Sequence, residues 1–216
     1  MASALQDIPT LLTDPETFFD RYGTDPSLGG PAVLVAVIAL LSAIAAGATV
    51  MKFSAAIPSG AQGVFLFGAL IGAGFAVVVP FISWLLYAIV FVVVTYFFDG
   101  EGEFRDLFAL VGWGFAPKVL GAVVSVVLTL VVLQSLSIPA DPASFQSFNQ
   151  RLQQATLTRV SSVLGIVFTL WSAYIWIPAV QRARNVTRRQ AIATVAVPVA
   201  VSILLTLFGL VSSSLA

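Results

Sequence analysis

Residues 53–98 read FSAAIPSGAQGVFLFGALIGAGFAVVVPFISWLLYAIVFVVVTYFF, a stretch of 46 positions without one formally charged side chain. A water-soluble domain keeps polar and charged groups on its surface, so this stretch is typical of a membrane interior. Charged residues make up 9% of the 216 residues and hydrophobic residues 59%, and the mean hydropathy is +1.01. These values predict an all-α, polytopic integral membrane protein.

Five apolar segments are long enough to cross a bilayer as helices, at about 31–51, 63–98, 117–137, 160–177 and 191–211. The second would be roughly 54 Å long as one helix, although a hydrocarbon core of ~30 Å requires less. Two spans and a turn would need at least about 40 residues. We therefore predict one long helix, tilted or kinked near Pro80 or broken at 72–74. The alternative is a re-entrant half-helix at 63–75 followed by a full span.

The basic residues predict the orientation of the spans. With five spans, one side of the membrane receives seven of the ten, namely Arg21, Arg105, Lys118, Arg182, Arg184, Arg188 and Arg189. The other side receives Lys52, Arg151 and Arg159. Because cytoplasmic loops are enriched in Lys and Arg, we expect a cytoplasmic N-terminus, an extracytoplasmic C-terminus and, for a prokaryotic chain, the plasma membrane. Residues 1–30 then form a cytoplasmic segment with an interfacial helix, and residues 31–213 form the transmembrane domain.

The composition excludes several classes of function. The chain has no His and no Cys, which removes His-based catalysis, thiol nucleophiles, disulfides and Cys/His zinc sites. A net charge of +0 offers no field that would attract nucleic acid. No acidic or basic residue is expected at mid-membrane depth, where ion-coupled transporters keep such groups. We therefore predict no catalytic residue, no cofactor and no metal.

Two amphipathic segments lie on the predicted cytoplasmic side. In DPETFFDRY, residues 14–22, Asp14 and Pro15 begin a helix whose Phe18 and Phe19 share one side. An interfacial helix and an ordinary helix docked on the bundle both fit this segment. In EFRDLFALVGWGF, residues 103–115, the apolar face predicts an interfacial helix that re-enters the membrane at Pro117. That face contains Phe104, Leu107, Phe108, Val111 and Phe115.

Three further predictions concern the membrane boundaries. Trp171, Tyr174 and Trp176 are expected to form an aromatic belt on the cytoplasmic side. The ammonium of Lys118 is expected to reach the same interface. On the other side, Asp141 and Pro142 predict a short helix at 142–157.

Four arginines form the strongest charged feature of the chain: Arg182, Arg184, Arg188 and Arg189. Three interpretations stay open for them. They can contact anionic lipid or a partner, they can act as a topology signal without a ligand, or they can pair with the acidic N-terminal segment. The acids of that segment are Asp7, Asp14, Glu16, Asp20 and Asp25.

Small residues and clustered acids complete the candidate features. Ala39, Ala43 and Gly47 are spaced by four, and Gly68 with Gly72 forms a GxxxG motif. We expect these ridges to pack the bundle, although a homodimer face is the other use of such a pattern. The acids around 99–106 are expected to form a solvated turn rather than a cation site.

The stretch DGEGEFRDLFALVGWGFAP at 99–117 and the N-terminal DPETFF resemble the Yip1-domain family, especially its archaeal and bacterial members. The resemblance covers roughly residues 14–211. It implies a five-span membrane protein with a cytoplasmic N-terminus, and it brings no catalytic residues. Eukaryotic relatives act in vesicle trafficking and bind Rab-type GTPases. The matching residues are Pro15, Phe18, Phe19, Gly100, Gly102, Phe104, Arg105, Gly112, Trp113, Ala116 and Pro117.

The sequence therefore predicts a non-catalytic, Yip1-like membrane protein that organises or scaffolds the membrane or docks a partner at its cytoplasmic face. Its expected partners are membrane lipids and a cytoplasmic protein, and a homo-oligomer is possible. The competing class is a channel or permease for a small neutral or lipid-like solute. A water-accessible cavity between the spans is the observation that separates the two.

Overall fold

The computed structural model describes residues 7–22, 26–54, 57–135 and 156–215. All regular structure within these ranges is helical, which confirms the predicted all-α class. A short 3-10 turn at Ser59–Ala61 directly precedes the helix that begins at Gln62. The α-helices are α1 Ile8–Thr13, α2 Pro15–Tyr22, α3 Gly29–Ser54, α4 Gln62–Tyr96, α5 Phe104–Trp113, α6 Ala116–Ser135, α7 Thr156–Arg184 and α8 Arg188–Leu215.

Five of these helices, α3, α4, α6, α7 and α8, are long and apolar enough to cross a membrane. The predicted five-span architecture is therefore confirmed. Helix α4 has 35 residues and contains Pro80, and it runs through 72–74 without interruption. At 1.5 Å per residue its length is roughly 52 Å. The second segment is thus a single long helix and not the re-entrant alternative.

Several helix ends differ from the predicted spans by a few residues, and the end of α7 differs most. Helix α7 continues through Pro178 to Arg184, beyond the predicted end at residue 177, and α8 begins at Arg188 rather than at residue 191. The added residues of α7 include Ala179, Val180 and Ala183, which are buried in the core. Contacts with the rest of the protein therefore stabilise α7 beyond residue 177, where its apolar segment ends. The predicted helix at 142–157 falls almost wholly outside the described residues.

The contacts among the five long helices form a closed cycle, called here the helix ring. Helix α3 packs against α4 and α6, α7 packs against α6 and α8, and α8 closes the cycle against α4. Helix α5 lies at one end of the ring and contacts α3, α4 and α7, while α2 contacts α7. We call this end, which carries residues 7–22, 26–28, 97–115 and 182–190, the N-terminal face.

Buried side chains concentrate toward the N-terminal face. In α4 the buried residues all lie from Pro80 onward, and in α8 none of the described residues beyond Val199 is buried. The first half of α4 exposes large apolar side chains such as Phe67, Leu70 and Phe75. Exposed apolar surface of this extent is what a bilayer covers in a membrane protein.

Candidate functional site

Helix α2 begins at a side-chain cap. The hydroxyl of Thr17 donates to Asp14 Oδ2 at 2.5 Å, and the backbone N–H of Thr17 donates to Asp14 Oδ1 at 3.2 Å. Both bonds favour the charged carboxylate, so they hold the pKa of Asp14 below its ordinary value of 3.8. Pro15 follows as the first helical residue, where its missing N–H costs nothing. The local sequence thus fixes where α2 starts.

The aromatic side of α2 faces protein. Phe18 and Phe19 are fully buried, and Phe18 meets Trp113 edge-on with the ring centroids 5.2 Å apart. Tyr22 donates to Asp7 Oδ2 at 2.9 Å, which ties α2 back to the start of α1. This geometry corresponds to the docked alternative for the N-terminal segment, because the two phenyl rings are not available to lipid.

Aromatic side chains of α7 donate hydrogen bonds to backbone carbonyls of the N-terminal segment and of α5. Trp171 donates to the carbonyl of Leu12 at 3.0 Å, and Tyr174 donates to that of Thr13 at 3.3 Å. Trp176 is fully buried and donates to the carbonyl of Val111 at 2.8 Å. The predicted aromatic belt is therefore wrong for Trp176, since its ring packs within the protein. An amphipathic ring suits a membrane interface and a buried carbonyl equally well, so composition could not separate the two.

The side chain of Arg184 is bound within the turn that follows α4. Its side chain is buried, with 7% exposed, and its Nε donates to Thr95 Oγ1 at 3.1 Å. Its two terminal nitrogens donate to the carbonyls of Gly100 and Gly102. Gly102 has φ +137, and the carbonyl of Ala183 occupies the space that a Cβ there would need. The Gly-rich turn and Arg184 therefore form one interlocked structure.

The other three arginines remain near the surface. Arg188 pairs with Glu16 at 2.9 Å, and Arg182 pairs with Asp20. All four of these side chains are 40–63% exposed. Arg189 is exposed, and no ion pair of Arg189 is found within the described part of the chain. Two of the four arginines thus follow the interpretation of pairing with the acidic N-terminal segment.

A cleft of about 640 Å³ opens between α2 and the turn that joins α7 to α8. We call it the charged cleft. Its lining contains both acids and bases, with Pro178 and Val186 as apolar members. The charged and polar residues of its lining are Glu16, Asp20, Gln181, Arg182, Asn185 and Arg188.

Helix α5 is packed more deeply than a helix lying on a membrane surface. Its Leu107, Leu110 and Val111 are buried. Trp84 stacks on Phe108 with centroids 4.1 Å apart and donates to the carbonyl of Phe108 at 2.8 Å. Of the three phenylalanines assigned to this segment, Phe115 is buried and Phe108 is half-buried, whereas Phe104 is 42% exposed.

The acidic residues of the turn after α4 are not arranged as ligands of a metal ion. Asp99, Glu101 and Glu103 are exposed, and Asp99 has φ 55. In the residues that the structure describes, no group of three or more acidic side chains is arranged to hold a metal ion.

Lys118 lies where the sequence did not predict it. Its Nζ faces into the helix ring, 4.8 Å from the centroid of Tyr87, 4.9 Å from Phe115 and 5.2 Å from Trp176. The expectation that this ammonium reaches the membrane interface is therefore wrong. The only local signal was Phe115, three residues earlier, because residues spaced by three lie on the same side of a helix.

Comparison with known proteins gives a match over nearly the whole chain. A family model described as the Yip1 domain matches residues 10–210. An uncharacterized protein of Methanocaldococcus jannaschii is 28% identical over 123 residues, which are 56% of this chain and 87% of that protein. No solved structure matches.

Proposed function

The chain belongs to the Yip1 domain family, and from that premise we propose that it acts without catalysis, docking a partner protein at its N-terminal face. The observation that carries this proposal is the charged cleft between α2 and the α7–α8 turn. Organisation of the surrounding membrane would follow from the position of the bound partner at the end of the bundle.

The mixed charge of the cleft favours a protein partner over a lipid headgroup. An anionic headgroup that approached Arg182 or Arg188 would also meet the carboxylates of Glu16 and Asp20, and like charges at short range oppose binding. A polypeptide segment that carries both an acidic and a basic side chain can complement both halves. Electrostatic complementarity of this kind contributes mainly to specificity and to the association rate.

The rigidity of the N-terminal segment also favours docking. Three independent contacts fix α1 and α2: the Phe18–Trp113 packing, the Trp171 bond to Leu12, and the Arg188–Glu16 pair. A surface that is ordered before binding loses less conformational entropy on association. The segment therefore supports a preformed site.

We further propose that the N-terminal face is cytoplasmic and that the membrane is the plasma membrane. Support comes from the excess of basic residues on this side. The chain lacks Cys, so single-cysteine labelling has no background. Asn185→Cys should be protected from an impermeant reagent added to intact cells, and Ser59→Cys should react. The reverse pattern would contradict the orientation.

The docking proposal can be tested by site-specific photo-crosslinking in native membranes. A photoreactive residue at Asn185, which lines the charged cleft, should capture a discrete protein that the same residue at Ser59, on the opposite face, does not capture. The discriminating variant is the double exchange Glu16→Arg with Arg188→Glu, which keeps an ion pair but reverses its polarity. Capture should be lost in the exchange variant. Equal capture at both positions, or capture unchanged by the exchange, would rule out the cleft as the docking site.

A second candidate function is transport of a small neutral or lipid-like solute. The observation that favours it is a cleft of about 510 Å³ lined by residues of α4, α6, α7 and α8. After a glycerol gradient has shrunk the vesicles, proteoliposomes should then regain their volume faster than empty liposomes, because glycerol enters them faster. Identical traces would remove the glycerol-type permease from consideration.

A further inference from the structure

The ammonium of Lys118 lies inside the helix ring. The three aromatic faces around it come from α4, from the α5–α6 junction and from α7. One of them, Trp176, precedes Arg184 at the end of α7 by eight residues, which is roughly 12 Å along a helix axis. Measured along α7, the charge therefore lies about two helical turns inward from Arg184.

The aromatic rings do not satisfy this ammonium completely. Ring faces attract the positive charge, but an ammonium also carries three N–H donors that seek oxygen acceptors. Within the described ranges, the recorded ion pairs are Arg182–Asp20 and Arg188–Glu16, and neither involves Lys118. A charge inside a helical bundle is costly unless an opposite charge compensates it. An anion from outside the chain would therefore lower the free energy of this arrangement.

Two clefts meet at Lys118. The larger, of about 510 Å³, combines the hydroxyls of Ser83, Tyr87 and Ser202 with apolar walls. The smaller, of about 330 Å³, lies between α6 and α7 and includes Ser125. Thr169 lines both clefts.

The larger cleft reaches the outer surface of the helix ring between α4 and α8. Leu86 and Val201 line it and are 54% and 53% exposed. On the inner side, Tyr87 and Ser202 share a hydrogen bond of 3.0 Å across the two helices. A ligand in this cleft would thus have a polar inner end beside Lys118 and an apolar outer end facing the bilayer.

We propose that Lys118 and the larger cleft bind an anionic phospholipid of the surrounding membrane. The phosphate oxygens accept hydrogen bonds from the Lys118 ammonium, and an acyl chain follows the apolar wall outward between α4 and α8. The lipid class follows from three properties together: a cation that has no ion pair among the described residues, hydroxyl groups beside it, and an apolar exit toward lipid. The site is separate from the charged cleft and does not depend on the docking proposal.

The experiment uses the full chain, purified in detergent, stripped of lipid and examined by native mass spectrometry. It is titrated with phosphatidic acid and with phosphatidylcholine of the same acyl chains. We expect one phosphatidic acid to bind per chain at concentrations where phosphatidylcholine does not. Lys118→Met should weaken this binding by about tenfold or more, since it removes a charge-assisted hydrogen bond. The matched control is Lys52→Met at the opposite end of α3, which should bind as the parent chain does.

Two cleft-filling variants keep the test independent of the lysine. Ser83→Phe fills the larger cleft and should abolish binding, whereas Ser125→Phe fills the smaller cleft and should leave it unchanged. Lys118→Arg keeps a positively charged donor for the phosphate and should retain binding within about threefold. Thermal unfolding of each variant identifies any that fail to fold, and the proposal can then be judged on the remaining variants.

Inorganic phosphate distinguishes a lipid from a free anion. If the acyl chain contributes to binding, a large excess of phosphate should not displace phosphatidic acid. Displacement by phosphate alone would overturn the proposal. Equal binding of the two lipids, undiminished binding by Lys118→Met, or loss in Ser125→Phe rather than in Ser83→Phe would also overturn it.

Discussion

Glycines at the two ends of this molecule occupy opposite environments. At the N-terminal face, a Cβ on Gly112 would lie 2.5 Å from Pro31 and 2.7 Å from Trp84, and one on Gly114 would overlap the indole of Trp176. In the first half of α4, a Cβ on Gly68 or Gly72 would have nothing within 4 Å. The same residue type is thus required by packing at one end and faces open space at the other.

The difference teaches that tertiary order is concentrated at one end of the bundle. Near the N-terminal face, indoles donate to backbone carbonyls and a buried arginine fills a turn. In the first half of α4, apolar side chains point outward instead. The expectation that the Gly68–Gly72 motif packs the bundle is wrong, since no other part of the described chain approaches it closely.

The largest expected effect comes from replacing one glycine by alanine in each of these two environments and comparing the losses of stability. Gly114→Ala places a methyl group against Trp176, whose indole is fixed by its bond to Val111, and should destabilise the fold by about 3 kcal/mol. Gly72→Ala is the matched control. It should leave stability unchanged or raise it by up to about 1 kcal/mol, because Ala favours a helix. Unfolding in mixed micelles with increasing SDS measures both, and similar losses would contradict the comparison.

The second effect concerns two arginines separated by five positions. Arg184→Gln leaves the carbonyls of Gly100 and Gly102 without their charged donor, and should cost about 2–3 kcal/mol. Arg189→Gln changes an exposed side chain and should stay within about 0.5 kcal/mol. Hydrogen exchange of residues 99–103 should accelerate only in the first variant. Acceleration in both would show that the loss of a positive charge, not of a specific contact, destabilises the turn.

A smaller effect is expected at the ion pair between α2 and α8. Because Glu16 and Arg188 are 55% and 63% exposed, each single reversal, Glu16→Arg or Arg188→Glu, should cost less than about 1 kcal/mol. The double exchange should recover most of that loss. A double-mutant cycle at low and high salt measures the coupling, which should shrink as salt rises. A coupling independent of salt would indicate that the pair is more buried than the structure has it.

The smallest effect is a pH dependence at the cap of α2. The bonds from Thr17 lower the pKa of Asp14 below 3.8 in the folded chain, so the cap contributes stability above that pH. The contribution is lost as pH falls through the lowered folded value. Undocking of α2, followed by a fluorophore attached at Arg21→Cys, should therefore become easier below pH 3.8. Asp14→Asn should reduce this dependence, and an unchanged acid transition would exclude Asp14 as its source.

Much of the architecture follows from local sequence. Hydropathy and length were enough for five spans and for α4 as one helix, because each property belongs to a segment by itself. The cap at Asp14 was equally local, since its partner is three residues away. The roles of the four arginines were not local. Arg184 and Arg188 lie four positions apart between the last two spans, and nothing in the local sequence separates them. Arg184 is nevertheless bound within the turn after α4, whereas Arg188 forms an ion pair at the surface.

The sequence by itself determined that this chain forms five apolar helices, and it located the start of α2. Only the tertiary structure decided which face of each helix meets protein, which glycines tolerate no side chain, and that Lys118 points inward. The physical reason is that the protein interior and the lipid tails are both apolar. Hydropathy therefore measures exclusion from water and cannot say whether a helix face is covered by a neighbouring helix or by the bilayer.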